Sequence, residues 1–207
     1  NRFSIVLRDL SIRQLERVPR CLAAAERDGV PNYFDRQRFG SVGCSGEYVA
    51  RAWCRGDFER ALWLALADAS SHDDSAQRQD RELLRAHWGD WSECLAMLRD
   101  RQLHAVISHL VQHPGDFRGA FVRLDPASRN LFLAAFQSHL WNSILARVLR
   151  NQCAAETLFE LAVDDQPRPF YRSLDDDQRR HWANESLPLP SARLHLAEGA
   201  VRQIIEE

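Results

Sequence analysis

Apolar residues recur along most of this chain at the three- and four-residue steps of an α-helix, and in a few short stretches the rhythm changes to the two-residue alternation of a strand. Residues 3–10 set Phe3, Ile5 and Leu7 on one side against Ser4, Val6 and Arg8, which predicts a strand in need of partners. Ser11 with Gln14 three positions later is a capping-box pattern, predicting a helix that Pro19 divides and Gly29 stops. Residues 30–46 break the rhythm with a proline, glycines, aromatics and two arginines. From residue 47 to about 150 nearly everything reads as helix, in short segments separated at Gly56-Asp57, the polar run 70–77, Gly89-Asp90, Pro114-Gly115-Asp116 and Asp125-Pro126. Asp57, Asp90 and Asp116 are placed to cap the helices they introduce, and Pro126 suits a first helical position. The stretch 126–150 is the longest and most apolar, with Leu131, Ala135, Phe136, Leu140, Leu145 and Val148, and predicts a central core helix. Beyond it the pattern predicts a strand at Leu158–Val163, a loop marked by Pro167 and Pro169, a short helix from Ser173 to about Trp182, an extended Leu187–Pro190 connector and a last helix near 198–207. No residue pattern recurs at fixed spacing, so a solenoid is not indicated.

Composition narrows the chemistry. All 27 basic residues among the 207 are arginine, which excludes from these residues every device that needs a lysine, including Walker-type phosphate loops and Schiff bases. Five scattered cysteines with no C-x-x-C pair favour neither a disulfide framework nor a zinc module. No apolar run approaches the ~20 residues of a membrane span, and the expectation is a protein of the reducing cytoplasm. Residues 1–60 hold 11 Arg against 8 acids, whereas residues 61–207 hold 16 against 21, so only the first part leans toward an anionic partner. The chain opens at Asn1 close to a strand pattern and stops at Glu207 inside a helical one, which reads as part of something longer.

The segment Asn32-Tyr-Phe-Asp-Arg-Gln-Arg-Phe-Gly40 carries the densest candidate chemistry. Aromatics interleaved with arginines supply faces for stacking and fork-shaped donors for phosphate, and the amides can read a base edge. That set suits an unstacked nucleotide; the alternative is that Tyr33, Phe34 and Phe39 anchor a loop to the core and the arginines are solvated. Elsewhere the bland readings prevail. His104, His109 and His113 lie on one helical stretch without an acidic third ligand and read as helix histidines rather than a metal site. His72-Asp73-Asp74 reads as solvated linker, Cys44 and Cys54 lack a neighbouring base, and Asp175, Asp176 and Asp177 read as charges favouring a helix start. The six tryptophans read as core, Trp141 most clearly. Gln137 and Asn142, polar on an apolar helix, point either to a structural network or to an active-site wall.

Gly29-Val-Pro-Asn-Tyr-Phe-Asp-Arg-Gln-Arg-Phe-Gly40 resembles the Gly-Val-Pro-Asn-Tyr-Phe-Gly-x-Gln-Arg-Phe-Gly hallmark of the TruD family of tRNA pseudouridine synthases. Leu131-Phe-Leu-Ala-Ala-Phe-Gln-Ser-His-Leu-Trp-Asn142 resembles that family's Phe-Leu-x-Ala-x-Gln-Ser-x-Leu-Phe-Asn helix. Gly56–Leu62, Gly89-Asp-Trp91, His113–Asp116 and Leu187–Arg193 are similar in order and spacing, so the resemblance covers nearly the whole chain. It implies an α+β, predominantly helical protein: a partial catalytic domain over residues 1–45 (strand, helix, Asn-Tyr-Phe loop) and a mostly helical TruD-type region over 46–207, with the 126–150 helix packing toward the catalytic part.

The implied activity is isomerisation of uridine to pseudouridine in tRNA, at uridine 13, by a monomer without metal or cofactor and without membrane association. Such an enzyme extrudes its nucleotide from the stack, which requires an aromatic face and polar groups to hold the base. By the family pattern Phe34 stacks on the uracil, Asn32 holds loop or base, and Gln37, Arg38 and Phe39 shape the pocket or meet the backbone, with Arg36, Gly40, Gln137 and Asn142 in support. The alternative class is a non-catalytic helical module binding RNA or protein. Two departures stand out. The family's catalytic aspartate belongs to a Gly-x-Lys-Asp motif upstream of the first strand; without lysine that motif is not among these residues, so the chain alone is expected to be inactive. Asp35 replaces the usual glycine, and is expected to pair with Arg36 or Arg38 or to alter substrate handling.

Overall fold

The computed structural model describes residues 4–184, 186–191, 194 and 200–206. Phe3, Ala192, Arg193, residues 198–199 and Glu207, which the predicted strand, motif and last helix include, lie outside the described residues. Helices dominate: α1 (Ile12–Asp28), α2 (Val49–Cys54), α3 (Phe58–Leu66), α4 (Ser75–Ala86), α5 (Trp91–Met97), α6 (Arg101–Gln112), α7 (Phe117–Val122), α8 (Pro126–Gln152), α9 (Asp176–Asn184) and α10 (Ala200–Glu206). One antiparallel hairpin, β1 (Leu158–Val163) with β2 (Gln166–Tyr171), follows α8.

Local signals explain most boundaries. The Ser11–Gln14 capping box forms, and Gly29, at φ 72°, closes α1 by donating its N–H to Ala25 O. Asp57, Asp90, Asp116 and Asp125 each accept a backbone N–H in the first turn of the helix they precede. Asp175, rather than Ser173, caps α9, bonding reciprocally with Gln178. His72-Asp73-Asp74 is no solvated linker: Asp74 caps α4, and the nearly buried Asp73 side chain pairs with Arg81.

Further expectations are corrected. Residues 4–10 are not a strand; they are irregular and exposed, since no described strand offers its edge to complete the hydrogen bonding an isolated strand lacks. Pro19 does not divide α1, which continues through it to Asp28. Pro167 and Pro169 belong to β2 rather than a loop. Being two residues apart they share one edge of the strand, the edge turned away from β1, where the missing N–H costs no ladder bond. The carbonyl of Pro169 on that edge accepts a bond from Tyr33 instead.

Buried side chains form two clusters. The larger spans Val49 to Leu124, with Leu62, Leu84, Ile107, Leu110 and Phe121 fully enclosed. Its buried polar groups are satisfied: Arg81 and Arg85 donate to the carbonyls of Ala65, Ala67 and Asp68 at the end of α3, and Asp80 accepts the N–H groups of Arg99 and Asp100. The smaller cluster, Leu145, Leu149, Cys153 and Leu174, packs with Tyr33, Tyr171 and Trp182. The 27-residue α8, about 40 Å long at the usual helical rise, joins them, Phe132 packing on the first and Leu149 in the second. It is a connecting rod more than a central core helix, and Leu131 is exposed.

Candidate active site

The loop after Gly29 runs against the middle of α8. Asn142, completely buried, holds it by both backbone groups of one residue: the Phe34 N–H donates to Asn142 Oδ1 at 2.9 Å and Asn142 Nδ2 donates to Phe34 O at 2.8 Å. This imitates a strand pairing with a side chain in place of a second strand, and it fixes the backbone of Phe34 to α8. Further fasteners flank it. Trp141 Nε1 donates to Asn32 O at 3.1 Å, and the Tyr33 hydroxyl to Pro169 O at 3.0 Å. Burial raises the Tyr33 phenol well above the ordinary tyrosine range, so it stays a neutral donor.

The Phe34 ring is left half-buried, neither sealed in the core nor free in solvent. Trp141 meets it edge-on, with centroids 6.3 Å apart, and the Arg38 guanidinium lies over its face at 5.5 Å. Arg38 Nε donates to the Ser138 hydroxyl at 3.2 Å, and Ser138 is itself buried and bonded to Ala134 O. Phe34, Arg38 and Trp141 therefore come together as a half-open aromatic and cationic platform.

Behind the loop lies a pair that the sequence pattern did not show. Asp164 and Arg168, both nearly buried, are joined by two bonds of 3.2 and 2.8 Å, and Asn142 Nδ2 also donates to Asp164 Oδ2 at 3.1 Å. Asp164 and Asp165 form the hairpin's two-residue turn with φ of 52° and 60°, the left-handed conformation that aspartate tolerates better than most. The Asp-Asp pair between two strand-length runs was the available signal; taking Pro167 and Pro169 as loop residues hid it.

The remaining expected site residues separate. Asn32 is exposed and lines a pocket of about 250 Å³ with Trp141, Tyr171 and Trp182, so Trp141 is a wall of the site rather than core; Trp91 is the deeply buried tryptophan. Gln37, Arg38 and Gly40 line a larger cleft of about 550 Å³ against the helical region. The side-chain amides of Asn32 and Gln37 bond to nothing among the described residues. Gln137 turns away and donates to Pro190 O at 2.8 Å, fastening the connector, so of Gln137 and Asn142 only Asn142 serves the loop. Arg36 and Phe39 face a different side from Arg38, where Arg36 pairs with Asp165 at 2.8 Å.

Asp35 pairs with neither arginine. Its carboxylate accepts the Arg36 N–H at 2.7 Å and caps a 3₁₀ turn over Arg36–Phe39, while its φ of −94° imposes no demand for glycine. Glycine is strictly required instead at Gly43, where any Cβ would collide with the Asp68 carboxylate, itself fixed by Ser45.

Among the described residues no group of three or more His, Cys, Asp and Glu side chains is arranged to hold a metal, and no helix is long and apolar enough to cross a membrane. His109 is buried against Asp116 at 2.8 Å, and His104 contacts Leu98 O.

Comparison with known proteins identifies the family. The family described as tRNA pseudouridine synthase D (TruD) matches residues 1–205. The probable tRNA pseudouridine synthase D 2 of Methanocaldococcus jannaschii is 25% identical over 211 residues, covering 100% of this chain and 49% of the relative. The probable tRNA pseudouridine synthase D of Methanopyrus kandleri is 30% identical over 215 residues, again 100% of this chain and 49% of the relative. The tRNA pseudouridine synthase D of Geobacter metallireducens is 35% identical over 145 residues, 70% of this chain and 36% of the relative. No solved structure matches. The chain spans about half the length of the first two of these relatives. With the Asn-Tyr-Phe loop pinned to α8 and the match running along its whole length, the chain belongs to the tRNA pseudouridine synthase D family.

Proposed function

We propose that the protein carrying this chain isomerises uridine to pseudouridine in tRNA, at uridine 13, in the cytoplasm, as a monomer, and that this chain supplies the nucleotide-receiving wall of its site. The observation that carries the proposal is the presentation of Phe34: two hydrogen bonds with buried Asn142, one accepted and one donated by its amide, immobilise its backbone while its ring stays half-open beside Trp141 and Arg38. A uracil swung out of its stack finds an aromatic face there. Arg38 lies over that ring, but an exposed cation–π contact is worth only about 0.5–1 kcal/mol whereas base–aromatic stacking is worth about 1–3 kcal/mol, so the base displaces the guanidinium and leaves it free to meet a phosphate. The unpartnered Asn32 and Gln37 amides are the groups available to hold the uracil edge or its ribose.

The reaction breaks the C1′–N1 bond, turns the ring and joins C5 to C1′; the C5 proton is released and N1 takes up a proton, so the product is an isomer of the substrate. It needs a carboxylate, and the Gly-x-Lys-Asp motif that bears it in the family is not among these 207 residues. Asp164, the nearest buried candidate behind the loop, does not substitute, since both its oxygens already accept bonds from Arg168 or Asn142. Tritium release from tRNA labelled at uracil C5 tests the reading. The full-length protein is expected to release tritium and the 207-residue chain alone is not; turnover by the short chain would overturn the assignment of the carboxylate. Phe34→Ala in the full-length protein is expected to lose roughly 5- to 150-fold in kcat/KM, as the loss of about 1–3 kcal/mol from one stacked base implies. A well-folded protein that binds no tRNA even at low salt would instead favour a protein-interaction module.

A further inference from the structure

The 3₁₀ turn at Arg36–Phe39 divides the arginines and aromatics of the loop between two sides. With three residues per turn, Arg36 and Phe39 eclipse one another, while Arg38 points toward Ser138 and Phe34. Arg36 and Phe39 open onto a separate pocket of about 360 Å³ shared with Tyr48, His139, Asp165 and Gln166. We propose that this pocket receives the base of a nucleotide next to the target uridine in the RNA, so that the protein reads a neighbour as well as the uridine itself. The inference rests on the pseudouridine-synthase reading of the Phe34 site.

Four observations carry it. The walls are aromatic: Phe39 meets Tyr48 edge-on at 6.5 Å, and Tyr48 lies against His139 at 4.5 Å and Phe136 at 5.6 Å. The pocket has polar tips with no partner, since neither the Tyr48 hydroxyl nor a His139 ring nitrogen bonds to any described residue although both side chains are half-buried. Its charges cancel: Arg36 faces Asp165, and behind them Arg168 faces Asp164. Burial, and then the positive charge of Arg168, lower the His139 pKa and keep its imidazole neutral, so it offers one donor and one acceptor. A phosphate would find no surplus of positive charge here. A neutral planar heterocycle finds a stacking wall and hydrogen-bonding groups along its edge, which is the chemistry of a base. The pocket's place on the loop adds the last observation: Phe39 lies five residues from Phe34, on the other side of a turn that Asp35 caps, so one short loop carries both the Phe34 ring and a wall of this pocket.

The test uses the full-length protein and short single-stranded or stem-loop RNAs in which each base flanking the target uridine is replaced, one at a time, by an abasic residue. One flanking position is expected to lower kcat/KM by roughly tenfold, the loss of one stacked base, while the others change it little. Phe39→Ala is expected to erase that difference, so that intact and abasic RNAs react alike. Tyr48→Phe, which removes only the hydroxyl and keeps the ring, is expected to narrow discrimination among the four bases at the same position. Turnover that is indifferent to every flanking base overturns the pocket while leaving the pseudouridine-synthase reading intact. Absence of turnover on every RNA overturns both. Sensitivity to a flanking base that persists in both Phe39→Ala and Tyr48→Phe moves the reading of that base elsewhere and overturns this pocket.

Discussion

Between Val49 and Leu124 one continuous apolar cluster encloses whole side chains such as Phe121, Leu62 and Ile107, whereas α1 buries none of its residues and leaves Leu15 and Leu22 largely exposed, as Ile5 and Leu7 are before it. The helical region draws its stability from burial. The loop region is held in place by a few long-range polar bonds: Asn142 to Phe34, Trp141 to Asn32, Tyr33 to Pro169, and Tyr171 and Arg179 to Asp28. A nonpolar core tolerates no void but is indifferent to pH and to the identity of any one bond, whereas a loop hung on single bonds keeps its ring half-open and surrenders its geometry when one of them goes. Substitutions in the two regions therefore have different signatures, global in one and local in the other.

The largest effect belongs to the helical core. Phe121 is completely buried, with Trp53 and Phe58 rings at 4.9 and 6.0 Å, and Phe121→Ala is expected to cost about 3–5 kcal/mol in denaturant unfolding. A loss below about 1 kcal/mol would show that the cluster collapses around the void and would undo the contrast.

Next comes the fastener itself. Asn142→Ala leaves the Phe34 N–H and the Phe34 carbonyl without their partner, each a loss of about 1–3 kcal/mol if no water replaces it, while Asp164 Oδ2 keeps its bond from Arg168. The signature sharpens the comparison: amide exchange at Phe34 is expected to speed up by roughly 100-fold, the kinetic image of about 2.7 kcal/mol, with Leu62 and Ile107 unchanged. Equal acceleration in both regions would mean that the loop and the core open together.

Much of this division was already visible in the residues, and what was hidden follows a rule. The caps at Ser11, Asp57, Asp90, Asp116 and Asp125 need only a side chain and the next few amides, so they could be read locally. Asn142 was visible as a polar residue on an apolar helix, but its partner lies 108 residues away and nothing local points to it. The size and helical position of Trp141 suit burial, but the Asn32 carbonyl, 109 residues distant, draws it to the pocket wall. The Asp164–Arg168 pair was hidden by two prolines whose tolerance in β2 depends on which strand edge they occupy, and that edge is set by pairing register rather than by sequence.

The pH dependence falls between the extremes. Asp28 accepts from Arg27, Arg179 and the Leu174 N–H with its side chain only 2% exposed, and these bonds, that of Arg27 foremost, hold its pKa far below the usual carboxylate range. Since the folded pKa is the depressed one, its stabilisation is fully present above the ordinary aspartate value near 4 and is lost as pH falls below it. The melting temperature is expected to drop from pH 5 to pH 3 in the parent protein and to drop less in Asp28→Asn, which starts lower. Identical slopes in the two proteins would remove Asp28 from the fasteners of α1.

The smallest effect lies at Asp35. Its carboxylate caps the Arg36 N–H and its backbone is extended, so Asp35→Gly is expected to cost only a few tenths of a kcal/mol, and Asp35→Asn, which keeps a capping oxygen, less still. Both remove a negative charge from the face proposed to meet RNA, and an exposed charge of this kind is worth about 0.2–1 kcal/mol, or roughly 1.4- to 5-fold in affinity. Binding of tRNA is therefore expected to tighten by that factor at low salt in both variants, and the gain to vanish near 1 M, where the screening length falls to about 3 Å. Weaker binding in both variants would give the carboxylate the opposite role, as an acceptor for a base amino group. Weaker binding in Asp35→Gly alone would trace the effect to the cap, and so to the rigidity of the turn that separates Arg38 from Arg36 and Phe39.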